Sequence, residues 1–108
     1  MKLRNITFKD KQFIHKVKNH PEISKFSHKQ EGCIIIWKNK KIGYIIRSKG
    51  LISIAILPRY QHKGIGTKIL KIFCKKNDKA EILSNNFISM AVFKKAGFKP
   101  EYTMYVKE

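Results

Sequence analysis

The sequence predicts an α/β (α+β) protein whose mixed, mostly antiparallel sheet carries helices on both faces. Three apolar runs between residues 33 and 57 are separated by short polar turns, which is typical of an antiparallel meander. These runs are apolar on both faces, so both faces should be covered. Further along, an apolar run, an amphipathic run and another apolar run indicate a strand–helix–strand crossover with parallel strands.

The first quarter of the chain predicts one strand and two helices. Leu3 and Ile6 are the apolar positions of an edge strand. Apolar residues at helical spacing predict an amphipathic helix over residues 9–19. It ends before Pro21, because the residue preceding a proline disfavours the helical conformation. Pro21 can itself begin a short second helix that ends near residue 27.

The later elements follow from turn residues and helical periodicity. Turns are expected at residues 39–41 and 49–50. Asn86 is a suitable N-cap for the last helix, and Gly97 is suited to ending it. The predicted order is β-α-α-β-β-β-α-β-α-β(β): strand Met1–Ile6, helices 9–19 and 21–26, strands Cys33–Trp37, Ile42–Ile46 and Leu51–Leu57, helix 65–76 with the apolar stripe Ile65, Ile69, Leu70, Ile72 and Phe73, strand Ala80–Ser84, helix Phe87–Ala96, and a strand or hairpin through Phe98 and Tyr102–Val106.

Length and composition indicate a single domain spanning residues 1–108. The hydrophobic content of 43% excludes disorder, and no apolar run is long enough to span a membrane. The N-terminus runs directly into charged residues, so we expect no signal peptide. Cys33 and Cys74 lie in apolar runs without metal-ligand spacing, which predicts reduced core thiols in a cytoplasmic protein and no metal site.

The formal net charge of +17 attracts anionic partners such as nucleic acid, acidic proteins or anionic cofactors. However, 21 lysines stand against 3 arginines, and the chain has 17 isoleucines. Lysine and isoleucine codons are rich in A and T, whereas specific nucleic-acid readers favour arginine for its planar fork. We therefore attribute most of the charge to codon usage, and nucleic acid is a less favoured partner.

The stretch from Pro58 to Thr67 carries the main functional signal. It lies between an apolar run and an amphipathic run, so it predicts a strand-to-helix turn with Gly64 and Gly66 at the helix start. Backbone N–H groups at such a position bind phosphate oxygens. A dinucleotide fingerprint or an NTPase P-loop would need glycine or lysine spacings that fail at Ile69. A diphosphate ligand is the favoured interpretation, and a turn without a ligand is the alternative.

Two motifs resemble those of a known family. Gln61-x-x-Gly64-x-Gly66 after a strand resembles the acetyl-CoA loop of the GNAT superfamily of N-acetyltransferases. Residues 86–98 resemble the signature N-x-x-A/S-x-x-x-Y/F-x-K-x-G-F of the same family. The element order is also similar to the GNAT fold over nearly the whole chain. The resemblance implies a small, single-domain enzyme that transfers acetyl groups directly from acetyl-CoA to a primary amine, without a metal.

The resemblance also implies roles for individual residues. The strand at residues 54–56 would pair with the pantetheine arm, the loop amides would hold the diphosphate, and Asn86 would hydrogen-bond the arm. Arg59, Lys63 and Lys68 would lie within reach of the phosphates, and a solvated basic face is the alternative interpretation of these three residues. The residues implied for acetyl-CoA binding are Ile54, Ala55, Ile56, Gln61, His62, Lys63, Gly64, Ile65, Gly66, Thr67, Asn86, Ser89 and Phe93.

The catalytic residues depart from the family pattern. Phe93 stands where the family usually has a tyrosine that protonates the departing thiolate. Ser89, Tyr102, Tyr105 or a water molecule are the substitutes that the sequence offers. No carboxylate lies on the strand Leu51–Leu57, although family members often place a general base there. Candidate bases near the expected acceptor side are Glu22, His28 and Glu31.

The acceptor stays open at this point. Residues 17–23 weakly resemble the first-helix segment of GNAT enzymes that acetylate amino-sugar nucleotides or protein N-termini. A small amine, an amino-sugar nucleotide or a protein amine would fit, and the positive charge favours an anionic acceptor. The short chain predicts an open acceptor side, or one completed in a homodimer. The alternatives are a catalytically weak acetyl-CoA sensor and a nucleic-acid-associated acetyltransferase acting on aminoacyl-tRNA.

Overall fold

A computed structural model of the chain describes residues 1–17, 31–82, 86–101 and 107. Within these residues, four strands form one antiparallel sheet in which each strand pairs with the next one along the chain. The same part of the chain contains three α-helices and two short 3-10 turns. The elements are β1 Lys2–Asn5, a 3-10 turn Phe8–Asp10, α1 Lys11–Val17, β2 Glu31–Trp37, β3 Lys40–Ser48, β4 Leu51–Ile56, a 3-10 turn Pro58–Tyr60, α2 Ile65–Phe73 and α3 Phe87–Lys95.

Both faces of the sheet are covered, which confirms the predicted fold class. On one face, Ile14 of α1 is buried with strand residues that include Ile34 and Tyr44. On the other face, α2 and α3 supply a larger core. Its buried members are Ile35, Ile42, Ile45, Ile52, Ile65, Ile69, Leu70 and Phe93. Since each strand alternates its side chains between the faces, runs that are apolar throughout are what a doubly covered sheet requires.

The meander of β2, β3 and β4 forms as the sequence predicts, with tight hairpins. Lys49 and Gly50 have positive φ angles of 53° and 77°, which suit the twist of a two-residue hairpin. The first turn lies at Lys38 and Asn39, with φ angles of 49° and 65°, rather than at residues 39–41. As a result, β3 begins at Lys40 and is longer than predicted.

Helix α2 is shorter than predicted, because side chains intercept its C-terminal end. It ends at Phe73 rather than near residue 76. The carbonyl of Phe73 accepts a hydrogen bond from Arg47 Nη2 at 3.0 Å, and the N–H of Lys75 donates to Asp78 Oδ2 at 2.7 Å. The predicted apolar stripe also needs correction, since the side chain of Ile72 is 64% exposed.

The segment after α2 runs parallel to β4 but separates from it early. Leu51 and Lys79 form a parallel bridge, in which the N–H of Ile52 donates to the carbonyl of Lys79 at 2.8 Å. Residues 80–82 then form no strand, contrary to the predicted strand Ala80–Ser84, whose last two residues lie outside the described part. The parallel direction is therefore confirmed, and β4 is left with an open outer edge among the described residues.

The N-terminal helix begins as a 3-10 turn and continues as α1 to Val17. Residues 18–19, the predicted helix 21–26 and the predicted strand Tyr102–Val106 lie outside the described residues. Within the described part of the chain, no helix has both the length and the apolar character needed to cross a membrane.

The buried carboxylate of Asp10 joins the 3-10 turn before α1 to the strands β1 and β3. Asp10 is fully buried and accepts hydrogen bonds from Arg4 Nη2 at 2.7 Å, Lys41 Nζ at 2.9 Å and the N–H of Thr7 at 2.8 Å. Burial alone would raise the pKa of Asp10, but these partners hold the pKa well below its usual range. Asp10 is therefore a structural anion.

A second ion cluster fixes the segment after α2 to the sheet. Arg47 of β3 bonds both oxygens of Asp78, at 2.9 and 2.8 Å, and also pairs with Glu31 at 2.6 Å. Its guanidinium lies 4.6 Å from the ring centroid of Phe73. Because Asp78 immediately precedes the Lys79 bridge, this cluster determines where the parallel segment meets β4.

Candidate active site

The outer edge of β4 presents backbone groups in a definite alternation. In an antiparallel pair, successive residues point their N–H and C=O groups alternately toward and away from the partner strand. Since the N–H of Ile52 points outward to Lys79, the groups of Ile54 and Ile56 also face outward. Ala55 faces β3, where it pairs with Tyr44. The strand therefore offers Ile54 and Ile56, but not Ala55, to an extended ligand.

The turn that follows β4 is held by its own hydrogen bonds. The N–H of Tyr60 donates to the carbonyl of Leu57 at 2.9 Å, and the N–H of Gln61 donates to that of Pro58 at 3.1 Å. Gln61 was expected to contribute a free amide to the loop. This expectation needs correction, because its N–H is already bonded within the turn.

Beyond Gln61, the chain presents a run of free amides at the start of α2. No N–H group of residues 62–67 donates to any group in the described part of the chain. His62 and Gly64 have φ angles of 63° and 77°, and these left-handed conformations turn the backbone into the helix. Since Gly64 is the N-cap, the helix dipole adds positive potential at the same place. The arrangement has the chemistry of an anion cradle.

Glycine suits positions 64 and 66 of this loop for different structural reasons. Gly64 needs its positive φ, and a Cβ there would have no neighbour within 4 Å. Gly66 lies in the first turn of α2, where a Cβ would meet Val92 Cγ1 at 3.4 Å and Ile56 Cδ1 at 3.7 Å. These are ordinary contacts, so an alanine methyl group fits at position 66. Gly64 is therefore favoured by its left-handed conformation and not by lack of space, whereas position 66 has room for a methyl group.

Cationic side chains surround the loop. Arg59, Lys63 and Lys68 are all exposed, and none forms an ion pair with a described residue. Their charges add to the positive potential at the free amides, although solvent and salt screen them.

Helix α3 begins and ends with local motifs that explain much of its sequence pattern. Asn86 caps the helix, with its side-chain oxygen accepting from the N–H of Ser89 at 3.1 Å. At the other end, Gly97 has a φ of 100° and its N–H bonds the carbonyl of Lys94, while the N–H of Phe98 bonds that of Phe93. This is a Schellman motif. The apolar contact that usually accompanies it is the edge-to-face pair of Phe93 and Phe98, whose ring centroids are 4.9 Å apart.

Phe93 is therefore a core residue, with only 7% of its surface exposed. Among the other catalytic candidates, Ser89 is half-buried, and its backbone N–H donates to the side-chain oxygen of the N-cap Asn86. Glu31 is paired with Arg47, which reduces its suitability as a base. Glu22, His28, Tyr102 and Tyr105 lie outside the described residues.

Comparison with known proteins identifies the family to which this fold and loop belong. The acetyltransferase (GNAT) domain matches residues 24–100, which include both motifs and most of the chain. The chain therefore belongs to the GNAT family of acetyl-CoA-dependent N-acetyltransferases. No curated protein matches it by sequence.

Solved structures of other acetyltransferases share the fold at low sequence identity. An apo aminoglycoside 6'-N-acetyltransferase AAC(6')-IG from Acinetobacter haemolyticus is 15% identical with a TM-score of 0.71, over 100% of this chain and 98% of that one. A chimera of the Vibrio cholerae spermidine N-acetyltransferase SpeG and hSSAT is 15% identical with a TM-score of 0.76, over 94% and 82%. The aminoglycoside enzyme AAC(6')-Ib, bound to paromomycin and acetyl-CoA, is 15% identical with a TM-score of 0.69, and the match covers 94% of this chain and 84% of that one.

Proposed function

We propose that this protein transfers the acetyl group of acetyl-CoA directly to a primary amine, with the cosubstrate bound between the open edge of β4 and the start of α2. The observation that carries the proposal is a run of amides at residues 62–67 that have no partner among the described residues, next to a strand edge that no described strand covers beyond the Lys79 bridge. A diphosphate needs several convergent donors, and an amide-containing arm needs strand-like partners. These two requirements are met side by side.

In this proposal, the described residues bind and orient the cosubstrate. The amides of residues 62–67 hold the diphosphate, and Ile54 and Ile56 pair with the pantetheine arm. The side-chain amide of Asn86 donates to the same arm, since only its oxygen is used by the helix cap. Acetyl-CoA supplies an activated thioester. The outward N–H groups of β4 then stabilise negative charge developing on the thioester oxygen.

Proton transfer distinguishes this chain from the usual family pattern. Phe93 has no hydroxyl group, so the departing thiolate takes its proton from water or from Ser89, Tyr102 or Tyr105. Loss of a positioned general acid costs roughly 10²–10⁴ in rate. We therefore propose slow transfer as the main function. An acetyl-CoA sensor without turnover is the second candidate, and the burial of Phe93 against Phe98 favours it.

For the acceptor, we propose a neutral or anionic primary amine. The similar structures include aminoglycoside and spermidine N-acetyltransferases, whose named acceptors carry several positive charges. This chain has a net charge of +17 and exposed cations at Arg59, Lys63 and Lys68 around the proposed site. Like charges repel a polycation and attract an anion, and the effect weakens as salt is added.

The test combines acetyl-CoA titration by calorimetry with thiol release over a panel of amines. The panel pairs spermidine and an aminoglycoside with a neutral amine and an amino-sugar nucleotide, each at low and high salt. The proposal expects acetyl-CoA binding and turnover that is fastest with the anionic amine at low salt. Binding without thiol release from any amine would support the sensor. No binding of acetyl-CoA would overturn the proposed function.

The same assays test the missing hydroxyl group. Phe93→Tyr should raise the rate of thiol release when protonation limits turnover, while Phe98→Tyr serves as the matched control in the same aromatic pair. Acetyl-CoA affinity should be unchanged in both variants. An unchanged rate in Phe93→Tyr would mean that the proton is supplied elsewhere.

A further inference from the structure

The side chain of Gln61 is tied to the end of β4. Its Nε2 donates a hydrogen bond of 2.8 Å to the carbonyl oxygen of Ile56. That carbonyl belongs to the outward-facing set of the strand, so it is one of the groups that an extended ligand could otherwise use. The bond spans the 3-10 turn and joins its two ends.

This bond completes a continuous set of ties between β4 and the free amides. The N–H of Leu57 donates to the carbonyl of Ile42 in β3, and the N–H groups of Tyr60 and Gln61 close the turn. The side chain of Gln61 adds the return connection to Ile56. Immediately afterwards, at residue 62, the run of amides that have no partner in the described part of the chain begins. Gln61 is thus the last anchored residue before the proposed phosphate cradle.

We propose that Gln61 is a positioning residue, whose side chain holds the start of the amide run against β4 so that residues 62–67 are arranged before the cosubstrate arrives. It acts through the backbone and does not itself contact the diphosphate. The inference rests on the proposed function. It also implies that Ile56 offers its N–H, and not its carbonyl, to the pantetheine arm.

The hydrogen bond from Gln61 to Ile56 restricts the loop in the free protein, so the loop loses less conformational entropy when the cosubstrate binds. Preordering a binding segment increases affinity because less conformational entropy is lost in the complex. Gln61 is exposed, so its hydrogen bond competes with water and makes a modest net contribution. Loss of the donor should therefore weaken coenzyme A binding by roughly two- to tenfold, the range that one hydrogen bond supports.

The test compares Gln61→Met, which keeps the length but has no donor, with Gln61→Arg, which keeps one. Gln12→Met on the exposed face of α1 is the matched control. Two properties are measured: the affinity for coenzyme A by calorimetry, and the backbone order of residues 62–67 in the free protein by 15N relaxation. Gln61→Met should lower both, Gln61→Arg should restore both, and Gln12→Met should change neither.

Two results would overturn the inference. Weaker binding in Gln61→Met with an unchanged free loop would mean that Gln61 touches the cosubstrate directly. Unchanged binding would mean that the tie has no role in it. If the wild-type protein does not bind coenzyme A, the proposed function fails, whereas a loss of loop order in Gln61→Met would still demonstrate the tie.

Discussion

Replacing Gly64 by alanine tests the loop through its backbone conformation alone. Gly64 has a φ of 77°, and a Cβ at this position would meet no atom within 4 Å. The substitution is therefore free of steric clash, and its whole cost is that of holding an L-residue in the left-handed region. That cost is roughly 1–2 kcal/mol.

The outcome depends on how the loop responds. If the loop keeps its conformation, unfolding becomes easier by about 1–2 kcal/mol and affinity is retained. If the loop relaxes, the amides of residues 62–67 lose their arrangement and the Kd for acetyl-CoA rises by roughly 5- to 30-fold, the equivalent of the same energy. We expect the sum of the two effects to lie in this range. Gly64→Asn should cost less, because asparagine tolerates left-handed φ.

Gly66→Ala is the matched comparison, because its Cβ points toward Val92 and Ile56 rather than toward the free amides. Alanine is a better helix former than glycine, so stability should rise by up to about 1 kcal/mol. Urea unfolding and calorimetric titration measure both quantities. If Gly66→Ala weakened acetyl-CoA binding as much as Gly64→Ala, the separate roles given to the two glycines would be wrong.

The remaining predictions concern the ion clusters and the thiols. Asp10→Asn should lower the free energy of unfolding by roughly 1.5–3 kcal/mol, because charge-assisted hydrogen bonds to Arg4 and Lys41 are lost. The control is Glu81→Gln at an exposed position, and an equal loss of stability in both variants would contradict the structural role of Asp10. The pKa values of Asp10 and Asp78 are lowered in the folded state, so both carboxylates stabilise the fold above their unfolded-state pKa near 4, and this stabilisation is lost as the pH falls further. Urea unfolding midpoints should therefore decline below about pH 5, and less steeply in Asp10→Asn than in the wild type. Parallel declines in the two proteins would refute the role given to Asp10. Burial raises the pKa of Cys74 to about 11, so alkylation at pH 8 should be far slower than for a free thiol unless urea is added.

The sequence was sufficient for those parts of the fold that local patterns determine. The meander, the Lys49–Gly50 turn, the N-cap at Asn86 and the left-handed Gly97 all depend on residues close in sequence, and the structure confirms them. The loop between β4 and α2 was found for the same reason, since an apolar run, two glycines and an amphipathic run are adjacent.

Features that depend on distant residues were missed. The end of α2 is determined by Arg47, which comes from β3 and takes the carbonyl of Phe73. The spacing of Thr7 and Asp10 is that of a local capping box, but the ion pair of Asp10 with Lys41 was missed because Lys41 is 31 positions away. The bond from Gln61 to Ile56 is local, but a side chain contacting a carbonyl leaves no periodic pattern. The proton donor could not be identified either, because Phe93 removes the residue type on which the resemblance depends.

The central claim is that the amides of residues 62–67 hold the diphosphate of acetyl-CoA, and amide-resolved NMR tests it most directly. The 15N–1H signals of a uniformly labelled sample would be followed during titration with acetyl-CoA, and with S-acetylpantetheine, which has no phosphates. We predict that acetyl-CoA moves the signals of residues 62–67 most strongly, while S-acetylpantetheine leaves them nearly in place and shifts those of Ile54 and Ile56. Acetyl-CoA binding that leaves the signals of residues 62–67 unmoved would contradict the claim.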